Sequence, residues 1–365
     1  MPEHQETRVL WLTNLPAPYR FPIWDRMAED VQLKVVFLLK RKNWRNWPEP
    51  VGKSWNHQFM SFNSLQISEY DIIPSFRGSR KLLKNIDVAI IGGWESPMYI
   101  RTILSAKKYG IKVVQFYESS GDTHRFNSGV VSLIRRWIFS KPDLFFTISN
   151  MSAQALIEMG VSEKKIKVLF NPVDVAWYNQ YANSHRVPES PGHRYLFVGQ
   201  LIPRKNVLGA IRAFAQIAHV TDTFMIAGSG PLKTEIEELI ADLKLQNQVF
   251  LLGQKDKEEI ALLYARSHTL VMPSTSEVWG LVANEALASG AQVIVSKISG
   301  VSQFIKGMRG VFICSDFTDS IAEMMHASRS TYIGPIVNPE ILRFTPERFA
   351  EELNSFLFPI NDWKN

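Results

Sequence analysis

Short, nearly unbroken apolar runs, separated by stretches of helical periodicity, restrict the fold more than any other feature of this chain. In the first half they occupy residues 9–12, 35–39, 88–91, 113–116 and 144–148. In the second half they occupy residues 195–198, 223–227, 249–252, 269–272 and 292–295. A strand with one wet face alternates apolar and polar residues, whereas a parallel strand covered by helices on both faces does not. The gaps carry helical patterns, for instance residues 97–109 closed by Gly110, residues 232–243 and residues 258–265. This alternation predicts an α/β chain with doubly wound parallel sheets. The pattern lapses at residues 182–193, a polar stretch holding Pro188 and Pro191, which reads as a linker. We therefore expect two Rossmann-like domains, residues 1–181 and 194–340, with ligand sites at the carboxyl ends of their strands.

Composition narrows the function classes. Of 365 residues, 45% are apolar and 21% charged, the usage of a folded globular protein. Cys314 is the only cysteine, so a disulfide scaffold is excluded. No apolar run approaches the ~18 residues of a spanning helix, and the polar N-terminus lacks a secretory pattern, so a cytoplasmic protein is expected. Residues 1–174 carry 24 Lys+Arg against 16 Asp+Glu, and the remainder 17 against 19. A basic half beside a near-neutral one suits an anionic partner: a phosphorylated substrate, anionic lipid headgroups or nucleic acid.

The richest stretch is residues 273–290, which follows an apolar run and opens a helix from about Leu281 to Ser289, stopped by Gly290. Gly280 lets a ligand approach the first turn, whose N–H groups and dipole favour an anion. Glu277 lies just before that helix. Glu285 lies two turns into it, among Ala283, Ala286, Leu287 and Ala288. A carboxylate there is half buried and needs donors, for which sugar hydroxyls are suited. A capping role for Glu277 and a salt bridge for Glu285 are the plainer alternatives. The turn from Gly199 to Asn206 presents Arg204 and Lys205 at a helix start, a geometry that neutralises a diphosphate leaving group. Two exposed basic residues at a helix start are the plain alternative. Gly228-Ser229-Gly230-Pro231 lacks the third glycine of a dinucleotide fingerprint.

Glu277 and Glu285 stand apart as in an E-x7-E motif, and the stretch resembles the retaining glycosyltransferases of family 4, which have the GT-B fold. Residues 148–150 and 160–174 resemble that family's segment leading to its interdomain linker. Residues 198–206 resemble its phosphate-binding turn, and residues 227–231 and 252–254 its nucleoside-side loops. The motifs cover the second half, while the first half matches in outline. The resemblance implies two doubly wound domains facing a central cleft, with a C-terminal helix at about 345–365 packing back on the first domain; Thr345 and Pro346 supply its start signals. It implies a nucleoside-diphosphate sugar as donor; of the two common bases, UDP is expected ahead of GDP. Glu285, Gly199, Gln200, Gly228, Ser229, Gly253, Gln254, Val278, Trp279, Gly280, Leu281 and Val282 would bind it, and Glu277, Lys205 and Arg204 would be catalytic. The family usually has arginine where this chain has Gln200, so Arg204 is expected to supply that charge. No D-x-D, C-x-x-C or H-E-x-x-H occurs, so neither a metal nor another cofactor is expected.

The acceptor is expected on the first domain. Asn14, Pro18, Tyr19 and Arg20 leave one strand end, and Gly93 and Trp94 another. Glu118 and Asp122 leave a third, where many family members carry a histidine and this chain has Tyr117-Glu118; nearby His124 is expected to be structural. Arg20 is expected either to meet a phosphate or to pair at the surface. Basic residues and indoles interleave in residues 40–47, which suits an anionic membrane, a lipid-diphosphate acceptor or single-stranded nucleic acid; a solvated loop with its tryptophans tucked inward is the plain alternative. No nucleic-acid recognition module is present. The expected function is transfer of a sugar to a glycan, lipid-linked or small-molecule acceptor in cell-surface polysaccharide or glycoconjugate biosynthesis, at the cytoplasmic face of a membrane. The alternatives are a nucleotide-sugar 2-epimerase on the same fold and a non-catalytic module that binds glycan or lipid.

Overall fold

The computed structural model describes residues 7–39, 54–60, 65–67, 70–72, 79–119, 129–187 and 191–359. The chain divides into two compact units, Met1–Leu169 with Pro346–Asn365, and Phe170–Thr345. In unit 1 the strands are β1 (Arg8–Thr13), β2 (Gln32–Phe37), β3 (Asn56–Phe59), β4 (Leu65–Ile67), β5 (Tyr70–Ile72), β6 (Val88–Ile91), β7 (Lys112–Tyr117), β8 (Leu144–Thr147) and β9 (Ile166–Val168). The helices are α1 (Phe21–Met27), α2 (Ser79–Leu82), α3 (Pro97–Lys108), α4 (Gly129–Phe139) and α5 (Asn150–Glu158). Seven strands form one sheet in the order β3-β2-β1-β6-β7-β8-β9, while β4 and β5 pair separately. Every neighbour in the large sheet is parallel. The strand order reverses between β1 and β6, which makes that gap the topological switch point.

Unit 2 comprises α6 (Val175–His185), β10 (Arg194–Val198), α7 (Val207–Ile217), β11 (Thr223–Ala227), α8 (Lys233–Asp242), β12 (Val249–Gly253), α9 (Lys257–Arg266), β13 (Thr269–Met272), α10 (Leu281–Ala288), β14 (Gln292–Ser296), α11 (Ser302–Ile305), β15 (Val311–Cys314) and α12 (Thr318–Thr331). Its six-stranded parallel sheet has the order β12-β11-β10-β13-β14-β15 and switches between β10 and β13. Each unit has its own apolar core, one around Leu10, Ile91 and Val113 and the other around Tyr195, Phe224 and Ile294. Both are two-layered coverings of a parallel sheet, as the continuous apolar runs predict.

Five strands have no counterpart among the predicted runs: β3, β4, β5, β9 and β15. All are sheet edges. Three of the four β3 residues are exposed and all of β9 is half-buried, so neither carries an apolar signature.

The change of unit falls at residues 169 and 170, earlier than the polar stretch at 182–193. Helix α6 packs on α9 and α10, so residues 170–181 belong with unit 2 and not with residues 1–169. The C-terminal helix α13 (Pro346–Leu357) belongs to unit 1 and packs on α1. It buries Phe349, Ala350, Leu353 and Leu357. Asn354 Nδ2 donates to Asp30 Oδ2 at 2.8 Å, and Lys112 Nζ donates to the Leu357 carbonyl at 2.7 Å.

Two clusters organise unit 2 away from its sheet centre. Phe170 stacks on Phe344 with centroids 4.1 Å apart, and Trp279 meets Phe170 edge-on at 4.9 Å and Phe304 at 5.2 Å. At the amino ends of β10 and β13, the His193 N–H donates to Asp222 Oδ1 at 2.8 Å, and Asp222 pairs with Arg329 at 2.8 Å. His193 Nε2 lies 2.8 Å from Thr269 Oγ1, and the Arg194 N–H donates to His268 Nδ1 at 3.2 Å. Burial pushes His193 down to about 3 and His268 down to about 4.

Those two imidazoles make stability depend on pH. Below about 6.5 the unfolded chain takes up protons there while the folded rings stay neutral. Their contribution is complete above that value and is lost as the pH falls toward about 4 and about 3, at roughly 1.4 kcal/mol per pH unit per histidine. Urea unfolding at pH 7 and pH 5 should therefore show a clear loss of stability at pH 5. An unchanged midpoint would mean that both rings titrate as in free peptides.

Candidate functional site

The switch point of unit 2 collects the polar residues. The loop after β10 carries Gly199 and Gln200 into a 3-10 turn at Pro203–Lys205, and the loop after β13 carries residues 273–280 to α10. The Lys205 ammonium donates to Glu277 Oε2, and Arg204 Nη1 lies 3.9 Å from the same oxygen. Lys205 and Glu277 are largely sheltered, whereas Arg204 is about half exposed. The two loops are also tied through backbone: Thr275 donates from N and Oγ1 to the Arg204 carbonyl, at 2.8 and 3.3 Å. Asn206 sits in the left-handed region at φ 54°. Its Nδ2 donates to the carbonyls of Pro273 at 3.3 Å and Asp316 at 2.9 Å.

Glycines allow the neighbouring loops to touch. A Cβ on Gly228 would lie 1.8 Å from the Gly199 carbonyl oxygen, and one on Gly230 would lie 2.4 Å from that of Leu201. The Gly228 N–H donates to the Gly253 carbonyl at 2.8 Å, and Leu201 N–H to Ser229 at 2.9 Å. Residues 199–201, 228–230 and 253–254 thus share one end of the sheet, with Gln200, Ser229, Gly253 and Gln254 exposed.

Gly280 caps α10 at φ 109° and presents the N–H groups of the first turn. Glu277 is held before it by a parallel bridge to Ser299, its carbonyl accepting from Gly300 N at 3.1 Å. Trp279 and Gly280 are buried, while Val278, Leu281 and Val282 are half-buried.

Glu285 is half-buried, as the sequence predicts, but its donors are already protein groups. Tyr264 donates its hydroxyl to Glu285 Oε2 at 2.9 Å, and Tyr178 donates to the same carboxylate. Burial raises the Glu285 carboxyl above the usual range, and the two tyrosines and Lys257 offset part of that rise. Lys257 Nζ rests 3.8 Å over the Trp177 ring. Neither tyrosine was a sequence candidate. They come from α6 and α9, which only the fold brings beside α10, and their spacing carries no signal.

In unit 1, the loops after β1, β6 and β7 meet at the carboxyl end of the sheet. Asn14 Nδ2 donates to Glu95 Oε1 at 3.1 Å, and Asn14 Oδ1 accepts from the Tyr99 hydroxyl at 2.9 Å. A Cβ on Gly93 would lie 2.4 Å from the Tyr99 ring, so that glycine makes room for Tyr99. Trp94 packs edge-on to Phe139 at 6.1 Å. Pro18 and Tyr19 lie in a 3-10 turn that leads to Arg20.

Arg20 is neither a surface pair nor an unengaged phosphate ligand. It is buried, 4.7 Å over the Phe116 ring, and donates from Nη2 to Glu118 Oε2 at 2.8 Å. Burial opposes its charge, and Glu118 more than restores it, so its pKa is raised. Glu118 is accordingly engaged by Arg20, which the sequence did not anticipate. Asp122, His124 and residues 40–47 lie outside the described residues. Among the described residues no group of three His, Cys, Asp or Glu is placed to hold a metal, and no helix is long and apolar enough to cross a membrane.

Residues 184–327 match the family described as Glycosyl transferases group 1, and residues 35–177 match Glycosyltransferase Family 4. The chain belongs to the group 1 and family 4 glycosyltransferases. It is 30% identical over 170 residues to an uncharacterized glycosyltransferase of Methanocaldococcus jannaschii, covering 44% of each chain. It is 27% identical over 228 residues to the glycogen synthase of Mycobacterium tuberculosis, covering 61% of this chain and 54% of that one. The chain thus spans about half the length of these curated relatives. The crystal structure of Anabaena HepE in complex with UDP superimposes with a TM-score of 0.72 at 15% identity, covering 96% of this chain and 99% of that one. The lipopolysaccharide outer core galactosyltransferase WaaB gives 0.70 at 16% identity, with the same coverage. Both likenesses establish the GT-B fold for this glycosyltransferase family member.

The Tyr264–Glu285 contact has a measurable consequence. Tyr264→Phe removes a hydroxyl donor from a sheltered carboxylate, which should cost about 1.5–3 kcal/mol of unfolding free energy. Urea denaturation of the variant beside the parent measures this. Equal stability would show that solvent satisfies the carboxylate equally well.

Proposed function

We propose that this chain transfers a sugar from a UDP-linked donor to an acceptor hydroxyl with retention of anomeric configuration. The observation that carries the reading is the meeting of Lys205, Arg204 and Glu277 at the switch point, beside the start of α10 and eight residues before Glu285. Ligands of doubly wound sheets bind at that position. The UDP bound by the structurally similar HepE supports a uridine nucleotide as the donor's leaving half.

In this reading Glu285 accepts from the two ribose hydroxyls with the lone pairs its tyrosines leave. Lys205, Arg204 and the first-turn N–H groups of α10 stabilise the charge on the departing diphosphate. An arriving diphosphate competes with Glu277 for the Lys205 ammonium. As Lys205 turns to the phosphates, Glu277 becomes available to accept from hydroxyls of the donor sugar, which orients the anomeric carbon. The acceptor oxygen bonds to that carbon as its bond to the diphosphate breaks. The acceptor proton passes to the departing phosphate oxygen on the same face of the sugar. The acceptor is a glycan, a lipid-linked saccharide or a small molecule of cell-surface glycoconjugate synthesis, bound at the carboxyl end of the unit 1 sheet.

Incubation with a panel of UDP-sugars, followed by detection of released UDP with and without added acceptors, tests the proposal. Release of nothing from any donor would overturn it. Because Lys205, Arg204 and the α10 start supply the positive charge, transfer should persist in excess chelator. Complete loss restored by manganese or magnesium would refute that part. Glu285→Gln should weaken UDP binding by roughly 1–3 kcal/mol in calorimetry. Glu277→Gln should leave UDP affinity nearly unchanged while turnover collapses. Equal loss of UDP affinity in both variants would refute this division of roles.

A further inference from the structure

Helix α4 presents its apolar side outward. Ser132, Arg135, Ile138 and Phe139 are its buried residues. On the opposite side Val130, Leu133, Ile134 and Trp137 recur at i, i+3, i+4 and i+7, and they are 71%, 68%, 45% and 50% exposed. An amphipathic helix on a globular protein ordinarily turns such a stripe into the core. Here the core already has its own face of the helix, so the outward stripe is additional. Scattered exposed apolar residues need no explanation, but a contiguous row of four marks a surface with a partner.

The surrounding charge identifies that partner. The helix contains no acidic residue. Arg136 is exposed beside the stripe, and Lys141 Nζ lies 5.0 Å over the Trp137 ring. An apolar stripe with an indole and flanking cations is the composition of a helix that lies in a bilayer interface. A second copy would bring the same cations against themselves, whereas anionic headgroups neutralise them. We propose that α4 is the surface through which this protein docks on an anionic membrane. Val130, Leu133, Ile134 and Trp137 enter the acyl boundary, and Arg136 and Lys141 meet headgroup phosphates. This assigns the contact to α4, and it stands independently of the donor site.

Co-sedimentation with vesicles of phosphatidylcholine alone, and of phosphatidylcholine with phosphatidylglycerol, tests the assignment. The parent protein should bind the anionic vesicles and be released by salt. Leu133→Ser with Trp137→Ser should weaken binding by about tenfold or more, with unchanged thermal unfolding and unchanged UDP binding, because both side chains already face solvent. Arg136→Ser with Lys141→Ser should weaken binding to anionic vesicles only. Arg41→Ser, Lys42→Ser and Arg45→Ser together should leave binding largely intact. Absence of vesicle binding by the parent would overturn the proposal. So would undiminished binding by the Leu133 and Trp137 variant, or loss confined to the Arg41, Lys42 and Arg45 variant. A dimer in sedimentation velocity that the Leu133 and Trp137 changes dissolve would overturn it as well, making α4 an interface between copies.

Discussion

In unit 2 the parallel hydrogen-bond ladder continues past the ends of its strands. Gly199 donates to Ala227, Gly228 to Gly253, and Leu201 to Ser229. Loops ordinarily splay where strands end. These cannot, because the backbones lie closer than any side chain would allow. The result is a floor of peptide groups on which the 3-10 turn at Pro203–Lys205 is seated, and from which Arg204 reaches across to accept from Thr275. The ammonium of Lys205 is therefore positioned by two loops at once, and its meeting with Glu277 needs no rearrangement of backbone. Preorganisation of this kind is what an anion site requires, since charges that are already oriented need not be ordered when the ligand arrives.

The central strands were legible because burial on both faces leaves few polar residues in them. β6, β11 and β13 coincide with their predicted runs residue for residue. The edges were illegible for the converse reason: β3 and β9 are wet or half wet, and their few residues look like loop. At the site, Glu277 and Glu285 could be found because they share one loop and helix. The pairing of Lys205 with Glu277 spans 72 residues, and the Tyr178 and Tyr264 contacts to Glu285 depend on how α6 and α9 pack. No local spacing encodes such meetings. The boundary between units was misplaced for a related reason: α6 looks like the end of one domain by composition, and only its packing on α9 and α10 assigns it to the next.

Unit 1 solves a different electrostatic problem. Among the described residues its strand ends carry two carboxylates, Glu95 and Glu118, and each is already held. Glu95 accepts from Asn14 and from the Trp94 N–H, and Glu118 accepts from a buried arginine. Arg20 is kept charged by Glu118 and cushioned by the Phe116 ring. Among the described residues of this sheet end, the Arg20 cation is matched by the Glu118 carboxylate.

The aromatic cluster of unit 2 links places that the chain itself keeps far apart. Phe170 is the first residue of unit 2, and Phe344 is the last but one. These two rings, stacked together, mark both points at which the polypeptide passes between the units. Trp279 stands edge-on to Phe170, two residues from Glu277. Rings packed this closely shift together or not at all. Trp279 and Phe344 thus both meet Phe170 through van der Waals contact, although more than a hundred residues of backbone separate Trp279 from Phe170 and more than sixty separate it from Phe344. Three rings thereby hold together the loop before α10 and the two ends of unit 2.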